Sequence, residues 1–324
     1  MYGGIYDQID QAMEKIRGGQ VNEGLSILQF LMGEAEGQPD LQLILADVFY
    51  DLGHADTARA LLEELQDYFD ELTTDMQIEA RTLKAEIMID LGELDEAMEE
   101  LFSCIDLEPD YTRASLLLAD IYLMQDLPEI ACRHLENILD LESDQEDVRL
   151  ILSDLYLQLG ELEKAQAHLD QLIGTELEGQ VRLVQARLWS QMGNFEDAYR
   201  QFLQCWTTDP SPDALFGLSA TALQLHQTEE AIEYAEELLQ LDASHVGAYQ
   251  VQAEAFLRLD RQDEARQALM KALDLQDQDE AILLKLVEIH YAQGELDAAR
   301  KYVQQLLSAN EEHEVALEWQ GKLN

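Results

Sequence analysis

The sequence predicts an all-α protein, a solenoid of about nine helix-turn-helix units followed by a C-terminal helix. Three observations predict it. Glycine (17) and proline (5) are scarce among 324 residues, so few positions interrupt a helix. Helix breaks recur at Gly19, Gly53, Gly92, Asp126, Gly160, Gly193, His226, Asp260 and Gly294, spaced 34, 39, 34, 34, 33, 33, 34 and 34 residues apart. Such a period belongs to stacked helical hairpins. Around most breaks, small and bulky residues keep fixed offsets.

Most units follow the same rule. A small residue lies seven before the break and another five after it, where two helices must approach closely. A bulky residue four before the break and a filler nine after it occupy the space beside them. The first unit (5–38) has Ala12, Gly24 and Leu28 but Lys15 at the bulky position. The second (39–77) has Ala46, Phe49, Ala58 and Leu62, and an insertion around Asp67–Thr74 makes its interval long. The third (78–111) has Ala85, Met88, Ala97 and Leu101, and the fourth (112–145) Ala119, Tyr122, Ala131 and Leu135. Ser153, Tyr156, Ala165 and Leu169 define the fifth (146–178), and Ala186, Trp189, Ala198 and Phe202 the sixth (179–211). The seventh (212–245) keeps Ser219 and Ala231 but has Ala222 at the bulky position. The eighth (246–279) has Ala253, Phe256, Ala265 and Leu269; the ninth (280–313) has Val287 in place of a small residue, then Ala299 and Val303. Residues 314–324 begin a tenth unit, as a capping helix or as the truncated start of another repeat; Trp319 looks exposed for a cap. The whole chain, 1–324, reads as one array.

The period, the small–bulky–glycine first helix, the small residue on the second helix and a proline near a unit's end (Pro109, Pro210) resemble the tetratricopeptide repeat (TPR) family. The resemblance covers about residues 5–313. The chain is also similar to the acidic YpiA-like group of such proteins in Gram-positive bacteria. The family resemblance implies a right-handed superhelix of antiparallel helix pairs with a concave groove, and a binding module rather than a chemistry.

Residues ten, six and three before each break share one face of the first helix, away from the small–bulky stripe. In the family this face lines the groove. Six of the nine residues at the middle offset are acidic: Asp47, Glu86, Asp120, Asp154, Glu254 and Glu288. Leu43, Leu116 and Leu150 flank them on one side, and Tyr50, Ile89, Leu123, Leu157, Leu257 and Tyr291 on the other. This pattern predicts a slot for a peptide with basic and apolar side chains, anchored by apolar contacts and selected by the acidic row. The plainer alternative is that the leucines pack neighbouring first helices and the acids follow overall composition. The row lapses at Arg187 and Ala220. The lysine, arginine and asparagine positions of a carboxylate clamp are here acidic or apolar.

Charge narrows the partners. With 67 acidic and 20 basic residues the formal net charge is −47, which argues against nucleic acid and against an anionic membrane surface. By segment it is −13 over 1–77, −20 over 78–178 and −14 over 179–324. No apolar run is long enough to cross a membrane, and no signal-peptide pattern opens the chain, so the expected location is the cytoplasm. Three distant cysteines (Cys104, Cys132, Cys205) are no disulfide framework and read as buried packing residues.

No phosphate loop, zinc-binding pair or nucleophile motif is present. The acidic run Asp140–Asp147 lacks the glycine and the terminal acid of a calcium loop. His54, His226 and His290 fall at or near breaks and read as solvated turn residues. The expectation is therefore a non-enzymatic interaction scaffold without cofactor or metal. Its partner is a protein or peptide of basic and apolar character, with a second copy of the chain a further candidate. Two other readings stand beside it: an acidic mimic of nucleic acid that sequesters basic proteins, and an assembly chaperone that holds hydrophobic segments.

Overall fold

The computed structural model describes residues 3–323. Among them are 19 α-helices and no strand, and the first 18 helices form nine hairpins. These are Gly3–Arg17 (α1) with Val21–Glu34 (α2), Pro39–Asp51 (α3) with Ala55–Leu65 (α4), Thr74–Leu91 (α5) with Leu94–Leu107 (α6), and Thr112–Met124 (α7) with Pro128–Leu141 (α8). Glu146–Gln158 (α9) with Leu162–Leu169 (α10), Glu178–Gln191 (α11) with Phe195–Thr208 (α12), and Pro212–Gln224 (α13) with Thr228–Leu241 (α14) follow. Val246–Arg258 (α15) with Gln262–Leu275 (α16), Glu280–Ala292 (α17) with Leu296–Ala309 (α18), and a closing helix Glu314–Leu323 (α19) complete the chain. The chain forms two compact units, Met1–Val148 and Arg149–Asn324.

All nine predicted breaks have positive φ. Six are glycines, and Asp126, His226 and Asp260 hold the same left-handed conformation at φ 59°, 62° and 59°. At each break the N–H of the following residue donates to the carbonyl of the residue four before the break. Gln20 donates to Lys15, Leu127 to Tyr122 and Arg261 to Phe256, each at 2.8 Å, and Gln227 donates to Ala222 at 2.9 Å. This closure satisfies a carbonyl the helix leaves open and turns the chain back on itself. It is a backbone device, so the seventh hairpin keeps it although Ala222 supplies no bulk.

The small positions are the closest contacts. Ala58, Ala97, Ala131, Ala165, Ala198, Ala231, Ala265 and Ala299 all have no exposed surface, and Gly24 is buried at the equivalent place. In Met1–Val148, one core gathers Ala12, Leu28, Leu45, Ala46, Phe49 and Leu62, and a second gathers Ala85, Leu101, Cys104 and Leu118. In Arg149–Asn324, cores form around Phe202 and Leu218, around Ala253, Phe256 and Leu269, and around Val287, Val303 and Leu306. Cys104, Cys132 and Cys205 are buried and unbridged.

Several local features differ from the sequence reading. The insertion is a 3-10 segment, Gln66–Glu71, followed by Thr73 as the N-cap of an 18-residue α5. Thr73 accepts from the N–H of Met76, a first-turn donor that the helix itself leaves without a partner. The third unit's first helix therefore begins at Thr74, inside the stretch the register assigns to the second. The fifth unit's second helix stops at Leu169 and tightens into a 3-10 turn before Gly174 at φ 84°. His290 is 6% exposed: it takes the bulky position of the ninth unit, stacks on Tyr302 and contacts Glu295 through Nδ1 at 2.6 Å. The solvated-turn expectation fails there, although His54 and His226 are exposed. Trp319 is half-buried, edge-on to Tyr291 with ring centroids 5.2 Å apart, while Ala316 and Leu323 of α19 join the last core.

Candidate functional site

In Met1–Val148 the first helices α3, α5 and α7 carry the predicted face. The i, i+4, i+7 spacing of Leu43, Asp47 and Tyr50 aligns them along α3, and Thr82, Glu86 and Ile89 repeat this on α5. Two adjoining hollows of about 230 and 320 Å³ lie along this face and share Asp47, Glu86 and Arg113 as lining residues. Leu43 and Thr82 line the first, and Tyr50, Ile89 and Leu117 the second. The structure thus brings together five of the predicted residues: Leu43, Asp47, Tyr50, Glu86 and Ile89.

The rows differ in accessibility. Asp47 and Asp120 are exposed, and Tyr50, Glu86, Ile89, Leu116 and Leu123 are half-buried. Leu43 is only 6% exposed, so it forms the floor and offers little surface to a ligand. The Tyr50 hydroxyl donates to Asp90 at 2.8 Å; burial and this bond to a carboxylate push the phenol well above its ordinary range.

Arg113, on the first turn of α7, reaches back to Glu86 on α5. Its Nε and Nη2 donate to one Glu86 oxygen at 3.1 and 2.6 Å. The acidic row is thus partly neutralised by the protein's own cation. Asp47 and Asp120 have no hydrogen bond or ion pair among the described residues. Desolvation raises the Asp120 carboxyl above the usual carboxylate range. Asp47 is raised by desolvation first and by neighbouring Asp51 second, with Arg113 pulling the other way.

In Arg149–Asn324 most of the row is internally matched. Asp154 lies 2.7 Å from the Arg187 guanidinium. Glu254 meets Lys285 at 2.9 Å and Arg258 at 3.4 Å, and the Lys285 bond chiefly holds its carboxyl below the ordinary range. Leu157 is 1% exposed and belongs to the core; Leu150 and Leu257 are half-buried. Glu288 and Tyr291 are exposed, and Glu288 has no ion pair among the described residues. The lapse at Arg187 is thus a cation supplied to the preceding unit's acid.

Arg113, Asp90 and Leu117 escaped the sequence reading. Arg113 stands 13 residues before its break, outside the three offsets, and its target lies in the preceding hairpin. A count of basic residues at the start of each first helix would have found it, whereas Lys285 stands in the middle of α17. Among the described residues no helix is long and apolar enough to cross a membrane.

Comparison with known proteins agrees with the architecture. Residues 8–127 match the family described as tetratricopeptide repeat protein 21 ARM repeat, and residues 131–188, 216–280 and 261–318 match tetratricopeptide repeat families. The TPR repeat-containing protein YpiA of Bacillus subtilis is 25% identical over 303 residues, which is 93% of this chain and 70% of that protein. A tetratricopeptide repeat protein from Parabacteroides merdae superposes with a TM-score of 0.63 at 18% identity, covering 76% of this chain and 97% of its own. The APC/C hetero-tetramer Cut9–Hcn1 gives 0.60 at 16% identity over 93% of this chain and 59% of its own. Hairpin register, left-handed breaks and family matches lead to one conclusion: the chain belongs to the tetratricopeptide repeat family.

Proposed function

We propose that the α3–α5–α7 face of Met1–Val148 binds a peptide segment carrying basic side chains among apolar ones, and that the protein is a non-catalytic scaffold. The observation that carries this is the contrast along the acidic row. Glu86 has Arg113, whereas the exposed Asp47 and Asp120 make no hydrogen bond or ion pair among the described residues, and partial desolvation raises both carboxyls, with Arg113 only partly offsetting this at Asp47. A carboxylate in that state gains from a ligand's ammonium or guanidinium what the fold does not give it. Ile89, Leu116 and Leu123 keep part of their apolar surface accessible beside it, suited to a ligand's aliphatic side chains. Repeat proteins of this family generally serve as protein-binding scaffolds, and the structural relative Cut9–Hcn1 is itself a hetero-tetramer.

The test is selection of random 12-residue peptides on the full chain at physiological salt, followed by titration of the retained peptides. Retained sequences should combine lysine or arginine with aliphatic residues, and Asp47→Asn with Asp120→Asn should weaken them at least tenfold. Acidic winners, or winners indifferent to the double variant, would sink the reading. A nucleic-acid mimic would also prefer basic peptides, but its binding should tolerate Leu116→Ser and collapse steeply with salt.

A further inference from the structure

The same unit, residues 1–148, contains 36 acidic and seven basic residues. Three of the seven, Arg59, Arg81 and Lys84, line a single cavity of about 530 Å³ among α4, α5 and α6. Its apolar lining comes from Leu62, Ile87 and Met88. It shares no lining residue with the two hollows of the acidic row. On α5, Arg81, Lys84 and Met88 follow one helical stripe, and Thr82, Glu86 and Ile89 another.

The insertion helps to build this cavity. Gln66, the first residue of the 3-10 segment, lines it, and Phe69 of the same segment lies under the Arg81 guanidinium, 4.7 Å from carbon to ring centre. Stacking of this kind holds a guanidinium in place. Glu100, 15% exposed at its side chain, is contacted by both Arg81 and Lys84 at 2.5 Å. One carboxylate therefore serves two cations. The Nε of Arg81 is buried without a hydrogen-bond partner, and Arg59 has only long contacts, 3.4 Å to Glu63 and 3.3 Å to Glu93. In a chain of net charge −47, a cavity lined by three cations and the two acids Glu63 and Glu100, with Glu93 a third acid on Arg59, is locally close to neutral and unusually rich in cations.

We propose that this cavity binds a carboxylate carried on an apolar body. The carboxylate meets the donor capacity of Arg81 and Lys84 that Glu100 leaves unmet. The apolar body lies against half-buried Met88, over a floor formed by Leu62 and Ile87, 7% and 2% exposed. A bare inorganic anion has nothing to place on that apolar lining, and an uncharged ligand gives the cations nothing. A medium-chain acid and a peptide C-terminus ending in an aliphatic residue present the same chemistry. The proposal is independent of the acidic-row reading, because the two sites share no residue.

Binding is read on the full chain by the Met88 methyl resonance, assigned with Met88→Leu, at constant ionic strength set with sodium chloride. The probes are octanoate, acetyl-Ala-Ala-Leu as free acid and as amide, and inorganic phosphate. One of the two acids should move the Met88 signal saturably, and the tighter of them identifies the source. The amide and phosphate should leave it in place. Arg81→Gln and Lys84→Gln should each weaken the acid at least tenfold, and Asp10→Asn, at an exposed position of α1, should not change it. If Arg81→Gln loses its helical circular dichroism, Lys84→Gln decides, since its side chain is 36% exposed. No movement with either acid, equal movement with the amide, or binding indifferent to Lys84→Gln overturns the proposal.

Discussion

Arg113 and Glu86 join the first helices of consecutive hairpins, with Arg113 Nη2 2.6 Å and Nε 3.1 Å from one Glu86 oxygen. Glu86 is largely enclosed, at 14% side-chain exposure, while Arg113 keeps 59%. The pair therefore has a protected acid and a solvated cation that a competitor can displace. Arg113→Gln should increase the affinity of a basic peptide for this face by several-fold and steepen its salt dependence. It should also lower stability by about 1 kcal/mol, a modest value because one partner is solvated. Peptide titration at two salt concentrations and urea melts of the same variant check both halves. Unchanged affinity would mean that Glu86 takes no part in recognition.

Asp120 has no such partner, and desolvation raises its carboxyl. A carboxylate whose folded pKa is raised binds protons more readily in the folded state. The stability deficit of its charged form is thus full above the folded pKa and vanishes as the pH falls below the ordinary value of 3.8. Asp120→Asn should stabilise the neutral-pH protein by about 0.5 kcal/mol, discounted because the residue is partly solvated, and this gain should shrink on acidification. The same substitution should weaken a basic peptide. Stability and binding moving in opposite directions is the signature to look for.

Gly24 stands where eight other hairpins have alanine, yet a methyl group there would lie 2.5 Å from Ile16 Cγ1 and 2.6 Å from the Ala12 carbonyl oxygen. Gly24→Ala should destabilise by about 1–3 kcal/mol, although alanine is the better helix former. His226 is the opposite case, a bulky residue at φ 62°. His226→Gly should stabilise by about 1 kcal/mol by relieving the left-handed conformation. Denaturant midpoints of the two variants should shift in opposite directions.

His134 stacks on Tyr122 with ring centroids 5.4 Å apart, and burial pushes its pKa below 6.5. The unfolded chain therefore binds the proton more readily than the folded one. The stability that the neutral ring supports is full above pH 6.5 and is lost as the pH falls through the lowered folded value. His134→Phe should remove that part of the pH dependence. Urea midpoints of both proteins at pH 5.5 and 7.5 test this; parallel slopes would show that His134 does not titrate differently on folding.

Self-repulsion of a chain with net charge −47 opposes compaction. Moderate salt should therefore raise the thermal midpoint, even though many basic side chains are already in ion pairs such as Arg266–Glu295 and Lys15–Glu23. A flat midpoint from low to physiological ionic strength would show that these contacts already compensate the repulsion.

The sequence by itself determined the hairpins. All nine breaks, including Asp126, His226 and Asp260, take the left-handed conformation, because chain reversal after a helix needs that backbone state and few residues tolerate it. The packing positions were legible for the same kind of local reason: a fixed offset from a break fixes which side of a helix a residue occupies. The end of α10 at Leu169 and the start of α5 at Thr74 depart from the repeat register, because a 3-10 turn and the Thr73 cap set those ends locally and the register carries no signal for either. The character of the acidic row was decided only by tertiary structure. Which acids are neutralised depends on cations one hairpin away, Arg113 for Glu86, Arg187 for Asp154 and Lys285 for Glu254. Asp47 and Asp120 differ from those three in their surroundings, and electrostatic environment is a property of the folded neighbourhood rather than of position within a repeat.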